Sequence, residues 1–177
     1  MFQSRSLLEA SVAVLRPYVQ EVALVGHLPE GVEIDQRLEL VDDVPGISGP
    51  LAGLVAALES DPEIDWIVLA SDMPGISGEA ICWLVENRVA ESPATVGILP
   101  GADSPEPLPG VFDPSAASMI REFIRSGGTS LRGALSQLNA QQVLIPEHLR
   151  QCWTNVNTPE EWNRFADQEN HEANQGK

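Results

Sequence analysis

Apolar residues along the 177-residue chain follow two alternating periods, and the switches between them predict its elements. Leu8, Val12 and Leu15, with Leu7 and Val14 beside them, form a helical stripe that ends at Pro17. The run at 21–26 is short, apolar, rich in β-branched residues and closed by Gly26, which predicts a buried strand. Residues 38–41 predict a second strand, and the Pro and Gly content of 42–50 predicts a loop. Helical character resumes over 51–58, with Pro50 placed for the first turn, where its missing N–H is not needed. The clearest strand is 65–70, a mostly large and apolar segment that breaks into Ser71, Asp72, Met73, Pro74 and Gly75.

Downstream, the pattern predicts a helix over 79–87, a strand over 95–99 and a Pro/Gly-rich surface loop over 100–109 that closes at Val111 and Phe112. Asp113 or Ser115 can cap a helix running to Ile124, and Thr129 or Ser130 another running to Leu138. A late strand is expected over 142–145. Thr158, Pro159 and Glu161 match the cap, first-position and third-position preferences of a last helix. Residues 1–166 are expected to form one domain, and the polar tail 167–177 has little to bury. The alternation predicts an α/β fold in three layers, a mostly parallel sheet with helices on both faces. The strands near 22–26, 66–70 and 95–99 are expected in one sheet. Ligands of such folds sit at the carboxyl ends of the strands, which brings together Gly26 and His27, the loop 42–53 and the turn at Asp72.

Charge narrows the choice of ligand. Ten Lys and Arg against 26 Asp and Glu give a net charge of −16, which argues against a nucleic-acid partner and against an anionic membrane surface. A phosphate-bearing ligand therefore needs a local device such as backbone amides, a metal ion or a few placed cations. No apolar run reaches membrane-spanning length and the N-terminus lacks a signal-peptide core, so a cytoplasmic location is expected. Cys82 and Cys152 read as ordinary thiols, and His27, His148 and His171 share no ligand spacing.

Neither the dinucleotide-binding glycine spacing nor a P-loop occurs. The segment from Arg125 to Arg132, with Gly127 and Gly128, reads as a helix stop followed by a cap. Asp72 fits two descriptions, a turn or cap residue or a hard oxygen ligand for Mg²⁺ beside a nucleotide. Asp42 and Asp43 share that ambiguity, and Asn155 and Asn157 can equally serve as turn residues.

Taken together, Asp42, the run Gly49, Pro50, Leu51, Ala52 and Gly53, the turn from Leu69 through Asp72 to Pro74, and the run from Asn155 through Asn157 to Glu161 resemble one family. They are similar to the molybdenum cofactor guanylyltransferases, within the MobA-like nucleotidyltransferases. The resemblance implies a Rossmann-like fold of the nucleotide-diphospho-sugar transferase type and Mg²⁺-dependent transfer of GMP from GTP to molybdopterin cofactor, releasing pyrophosphate. It implies Asp72 as catalytic metal ligand, Asp42 and the segment from Gly49 to Gly53 against the nucleotide, and Asn155 and Asn157 on the acceptor side. GTP and molybdopterin cofactor are the implied small-molecule partners, with no protein partner indicated. A related transferase using CTP or another acceptor, and a non-catalytic binding domain of the same fold, are the alternatives. The family opens with a strand and a Gly-rich loop bearing Arg and Lys, whereas Phe2 to Glu9 resembles the stretch just after that loop. The expected sheet thus lacks its first strand and phosphate loop, and weak GTP binding with negligible transfer is expected of residues 1–177.

Overall fold

A computed structural model describes residues 7–27, 35, 38–158 and 160–165. Helix α1 covers Leu7–Leu15, followed by strands β1 (Ala23–Val25) and β2 (Glu39–Val41). Helix α2 (Pro50–Ser60) begins at Pro50, and Gly49 before it has φ 72°, a left-handed conformation that glycine adopts without strain. Strand β3 (Trp66–Val68) leads through the Asp72 turn into α3 (Gly78–Glu86). The Ser77 hydroxyl accepts the Ala80 N–H at 3.2 Å and so caps α3. Strands β4 (Ala94–Ile98) and β5 (Glu106–Phe112), helices α4 (Ala116–Arg125) and α5 (Leu131–Gln137), strand β6 (Gln141–Leu144) and a 3₁₀ helix (Glu147–Trp153) complete the order.

The six strands among the described residues divide into two sheets, and this corrects the expectation of one. Strand β1 pairs in parallel with β2, while the other sheet runs β3-β5-β4-β6. Only β5 is reversed: it is antiparallel to β3 and β4, and β6 is parallel to β4. The split lies between β1 and β3, each the terminal strand of its sheet. Helix α2 packs on β1, β2 and β3 alike, so one helix spans both sheets.

A second correction concerns the expected surface loop over 100–109, whose last part belongs to β5, the strand between β3 and β4. Prolines normally exclude a central strand because they lack an N–H. Here the register jumps from Val96 opposite Gly110 to Gly97 opposite Glu106, so Pro107 and Pro109 fall in an irregular stretch with no partner residue. Other expected features stand: Ser130 caps α5 by accepting the Gly133 N–H, and Gly127 and Gly128 close α4 on the carbonyls of Ile124 and Phe123. Thr158 and Glu161 form a reciprocal capping box, each backbone N–H bonded to the other's side chain. Residues 167–177 lie outside the described residues.

Two buried clusters flank the larger sheet. One joins α2, α4 and α5 to β4 and β5 through Leu54, Val55, Leu58, Val96, Phe112 and Ile120. The other joins the Asp72 turn, α3 and the 3₁₀ helix through Met73, Ile76, Ile81, Leu149 and Trp153. Cys82 is half-buried and Cys152 buried, both free. Among the described residues no helix is long and apolar enough to cross a membrane.

Candidate active site

Strand β3 delivers Asp72 to the site. The chain leaves the strand after Val68 and turns at 71–75, and Gly75 lets the turn lie against the 3₁₀ helix: a Cβ there would stand 2.7 Å from the Gln151 carbonyl oxygen. The turn is pinned from the C-terminal side. The Val156 N–H donates to the Asp72 carbonyl at 2.8 Å, and Asn155 Nδ2 donates to Asp72 Oδ2 at 3.4 Å. Asp72 Oδ1 is buried without a hydrogen-bond partner. An unpaired buried carboxylate oxygen is unfavourable unless a cation or donor arrives, so this atom fits a metal ligand. Among the described residues no group of three His, Cys, Asp or Glu converges on a metal. A single carboxylate matches the habit of Mg²⁺, which takes one or two protein carboxylates and completes its shell with water and substrate phosphates.

The second wall comes from β1, β2 and the start of α2. Val25 stands opposite Val41, and the Gly26 N–H donates to the Val41 carbonyl at 3.0 Å, so the loops after both strands start side by side. The Asp43 carboxylate then lies against Gly26 and Gly53: Cβ atoms at these glycines would meet its oxygens at 3.7 and 3.5 Å. Among the described residues Asp43 has no hydrogen bond or ion pair. Pro50, Gly53 and Asp72 border one cavity of about 820 Å³. Its only cation among the described lining residues is Arg88. That guanidinium is already committed, 2.6 Å from Asp65 and 3.8 Å from Asp113. The Ser115 hydroxyl and backbone N–H, with Arg88 beyond them, hold the Asp113 carboxyl below its usual range.

The remaining expected site residues separate. Asn155 and Asn157 are both exposed; Asn155 Nδ2 reaches Asp72, whereas the Asn157 N–H donates to Glu161 in the terminal cap. Leu51 and Ala52 are 1% and 2% exposed, so their side chains belong to the core and only their backbone is available to a ligand. Asp42 and Asp43 are both exposed after β2, and Asp43, which shares the ambiguity of Asp42 in the sequence, is the one whose carboxylate a Cβ at Gly26 or Gly53 would meet. The period-two alternation of a strand carries that signal, since Asp43 continues the side chain direction of Val41.

Residues 1–143 match the model of the MobA-like NTP transferase domain. A protein of Bacillus mycoides named "Probable molybdenum cofactor guanylyltransferase" is 28% identical over 171 residues, spanning 91% of this chain and 82% of that protein. The molybdopterin-guanine dinucleotide biosynthesis protein A of Archaeoglobus fulgidus superposes with a TM-score of 0.67 at 26% identity, covering 89% of this chain and 83% of that one. The 2-C-methyl-D-erythritol 4-phosphate cytidylyltransferase of Thermus thermophilus shares the fold, with a TM-score of 0.68 at 17% identity over 94% and 90% of the two chains. The fold and these matches thus define an α/β nucleotidyltransferase. The chain belongs to the MobA-like NTP transferase family.

Proposed function

We propose that the protein transfers GMP from GTP to the phosphate of molybdopterin cofactor, acting in the cytoplasm. An acceptor phosphate oxygen attacks the α-phosphorus of GTP, the bond from that phosphorus to the bridging oxygen breaks, and pyrophosphate leaves. Such chemistry depends on positioning and charge neutralisation more than on covalent help. The observation that carries the proposal is Asp72, with one oxygen buried and unpaired, on a cavity it shares with Pro50 and Gly53. Mg²⁺ bound there would neutralise phosphate charge. Asn155 holds the other Asp72 oxygen and so fixes the orientation of the carboxylate.

Asp43 serves base choice in this reading. A carboxylate can accept from both N1–H and N2–H of guanine, whereas cytosine and adenine each turn one acceptor lone pair toward it. A site built to accept two donors rejects bases that lack one of them. The backbone of Gly49 to Gly53 borders the nucleotide, and Asn155 lies on the acceptor side. Calorimetric titration with GTP, CTP and ATP in Mg²⁺ tests the reading: GTP is expected to bind at least tenfold tighter than either competitor. Equal affinities, or preference for CTP, would overturn it.

A further inference from the structure

We propose that Phe165 and Gly75 are positioning residues for Asp72: the Phe165 ring, carried by the helical residues 160–165, seats on Gly75 and clamps the turn that holds the carboxylate. The inference rests on the reading of Asp72 as a Mg²⁺ ligand and adds what keeps that ligand in place. Phe165 is 7% exposed yet joins neither of the buried clusters that flank the larger sheet. Its ring lies against the Asp72 turn instead: a Cβ at Gly75 would stand 3.1 Å from Phe165 Cε2 and 3.3 Å from Cζ. The Gln151 carbonyl oxygen crowds the same position, 2.7 Å from that Cβ. Gly75 is not among the glycines of positive φ, so space rather than backbone conformation requires it.

The clamp has its reason in Asp72. With Oδ1 buried and unpaired, the carboxylate gains by swinging out to water unless its turn is held. The side chain itself is held by one bond from Asn155 at 3.4 Å, longer than the usual range of about 2.7–3.2 Å. The backbone hold is shorter, with the Val156 N–H meeting the Asp72 carbonyl at 2.8 Å. What keeps Asn155 and Val156 there is the rest of their segment. Glu161 Oε2 accepts the N–H groups of Asn157 and Thr158 at 2.7 and 3.1 Å, and the Thr158 hydroxyl accepts the Glu161 N–H at 3.2 Å, so the residues before the cap are tied to the helical ones after it. Val156 and Phe165 are buried side chains of that piece, and a buried aromatic ring outweighs one long hydrogen bond. Removing the ring therefore frees the segment, and with it the Asp72 turn.

The first test uses the full chain without nucleotide or metal. Phe165→Ala is expected to speed amide hydrogen exchange at Val156 about tenfold more than at the β4 amides 95–97, while Phe165→Leu, which keeps an apolar side chain on Gly75, stays within about threefold of wild type. Equal acceleration at Val156 and β4 would make Phe165 an ordinary contributor to stability and overturn the proposal, as would no acceleration. Thr158→Ala, an exposed change that removes the cap and leaves the ring, should loosen Val156 selectively by several-fold, and it decides the question if Phe165→Ala does not fold; unchanged exchange there would contradict the clamp. The second test is the ratio of GTP affinities with Mg²⁺ and with chelator. Lower stability reduces both affinities alike and cancels in the ratio, whereas a displaced Asp72 lowers it. Against a wild-type ratio of about tenfold or more, Phe165→Ala should fall below about threefold and Phe165→Leu should recover the difference. A Phe165→Ala ratio equal to that of wild type would overturn the positioning role. A wild type with no Mg²⁺ preference would overturn the reading of Asp72 instead, and the exchange result, obtained without either ligand, still decides the clamp.

Discussion

Two adjacent aspartates separate the parts of this site that a sequence displays from those that need coordinates. Asp72 is legible because a strong apolar strand ends just before it, and the strand-end rule then puts it at the ligand. Asp42 and Asp43 follow a strand of three residues, too short to reveal which one turns inward. The register Val25 to Val41 and the approach of the Asp43 carboxylate to Gly26 and Gly53 favour Asp43. The resemblance placed Leu51 and Ala52 against the nucleotide, but a motif shared with a family does not distinguish a ligand contact from a core position, and their side chains are in the core. Asp43→Ala is expected to weaken GTP binding about tenfold, the loss of charge-assisted hydrogen bonds worth roughly 1.5–3 kcal/mol before water replaces them. Asp42→Ala should stay within about twofold, as an exposed substitution away from the ligand does. Calorimetry on both variants checks this, and equal losses would contradict the assignment.

Elements bounded by caps were readable to within a residue or two, because Ser77, Ser130 and Thr158 bond to specific backbone N–H groups that local chemistry already favours. Strand β5 was not, since its prolines imitate a loop and only the cross-strand register shows that they need no partner. Long-range ties between helices are likewise invisible in sequence: Glu59 of α2 pairs with Arg121 of α4, Nη2 to Oε2 at 2.7 Å. The Arg121 hydrogen bond lowers the Glu59 pKa. A carboxyl lowered on folding stabilises above the unfolded value of about 4.3 and loses that contribution as pH falls through the folded value. For an exposed pair the amount is about 0.5 kcal/mol. Thermal melts of wild type and Glu59→Gln should therefore differ at pH 7 and converge as pH falls below about 4.3. A difference that does not shrink as pH falls would show that the pair is not its source.

At the scale of the whole molecule, alternation of strands and helices correctly implied three layers, but it could not show that the sheet divides. Strand composition reports burial, and β1 and β3 have the composition of central strands while all six of their residues are only half-buried. That mismatch between sequence and surroundings marks the cavity, and the cavity also carries the proposed chemistry. The most direct test of the account is GTP affinity measured by calorimetry with Mg²⁺ and with chelator, in wild type and in Asp72→Ala, with melting temperature followed in parallel. Wild type should bind GTP at least tenfold tighter with Mg²⁺ than without, and Asp72→Ala should abolish that difference while melting within a few degrees of wild type. An Asp72→Ala variant that keeps the full Mg²⁺ dependence would contradict the central claim.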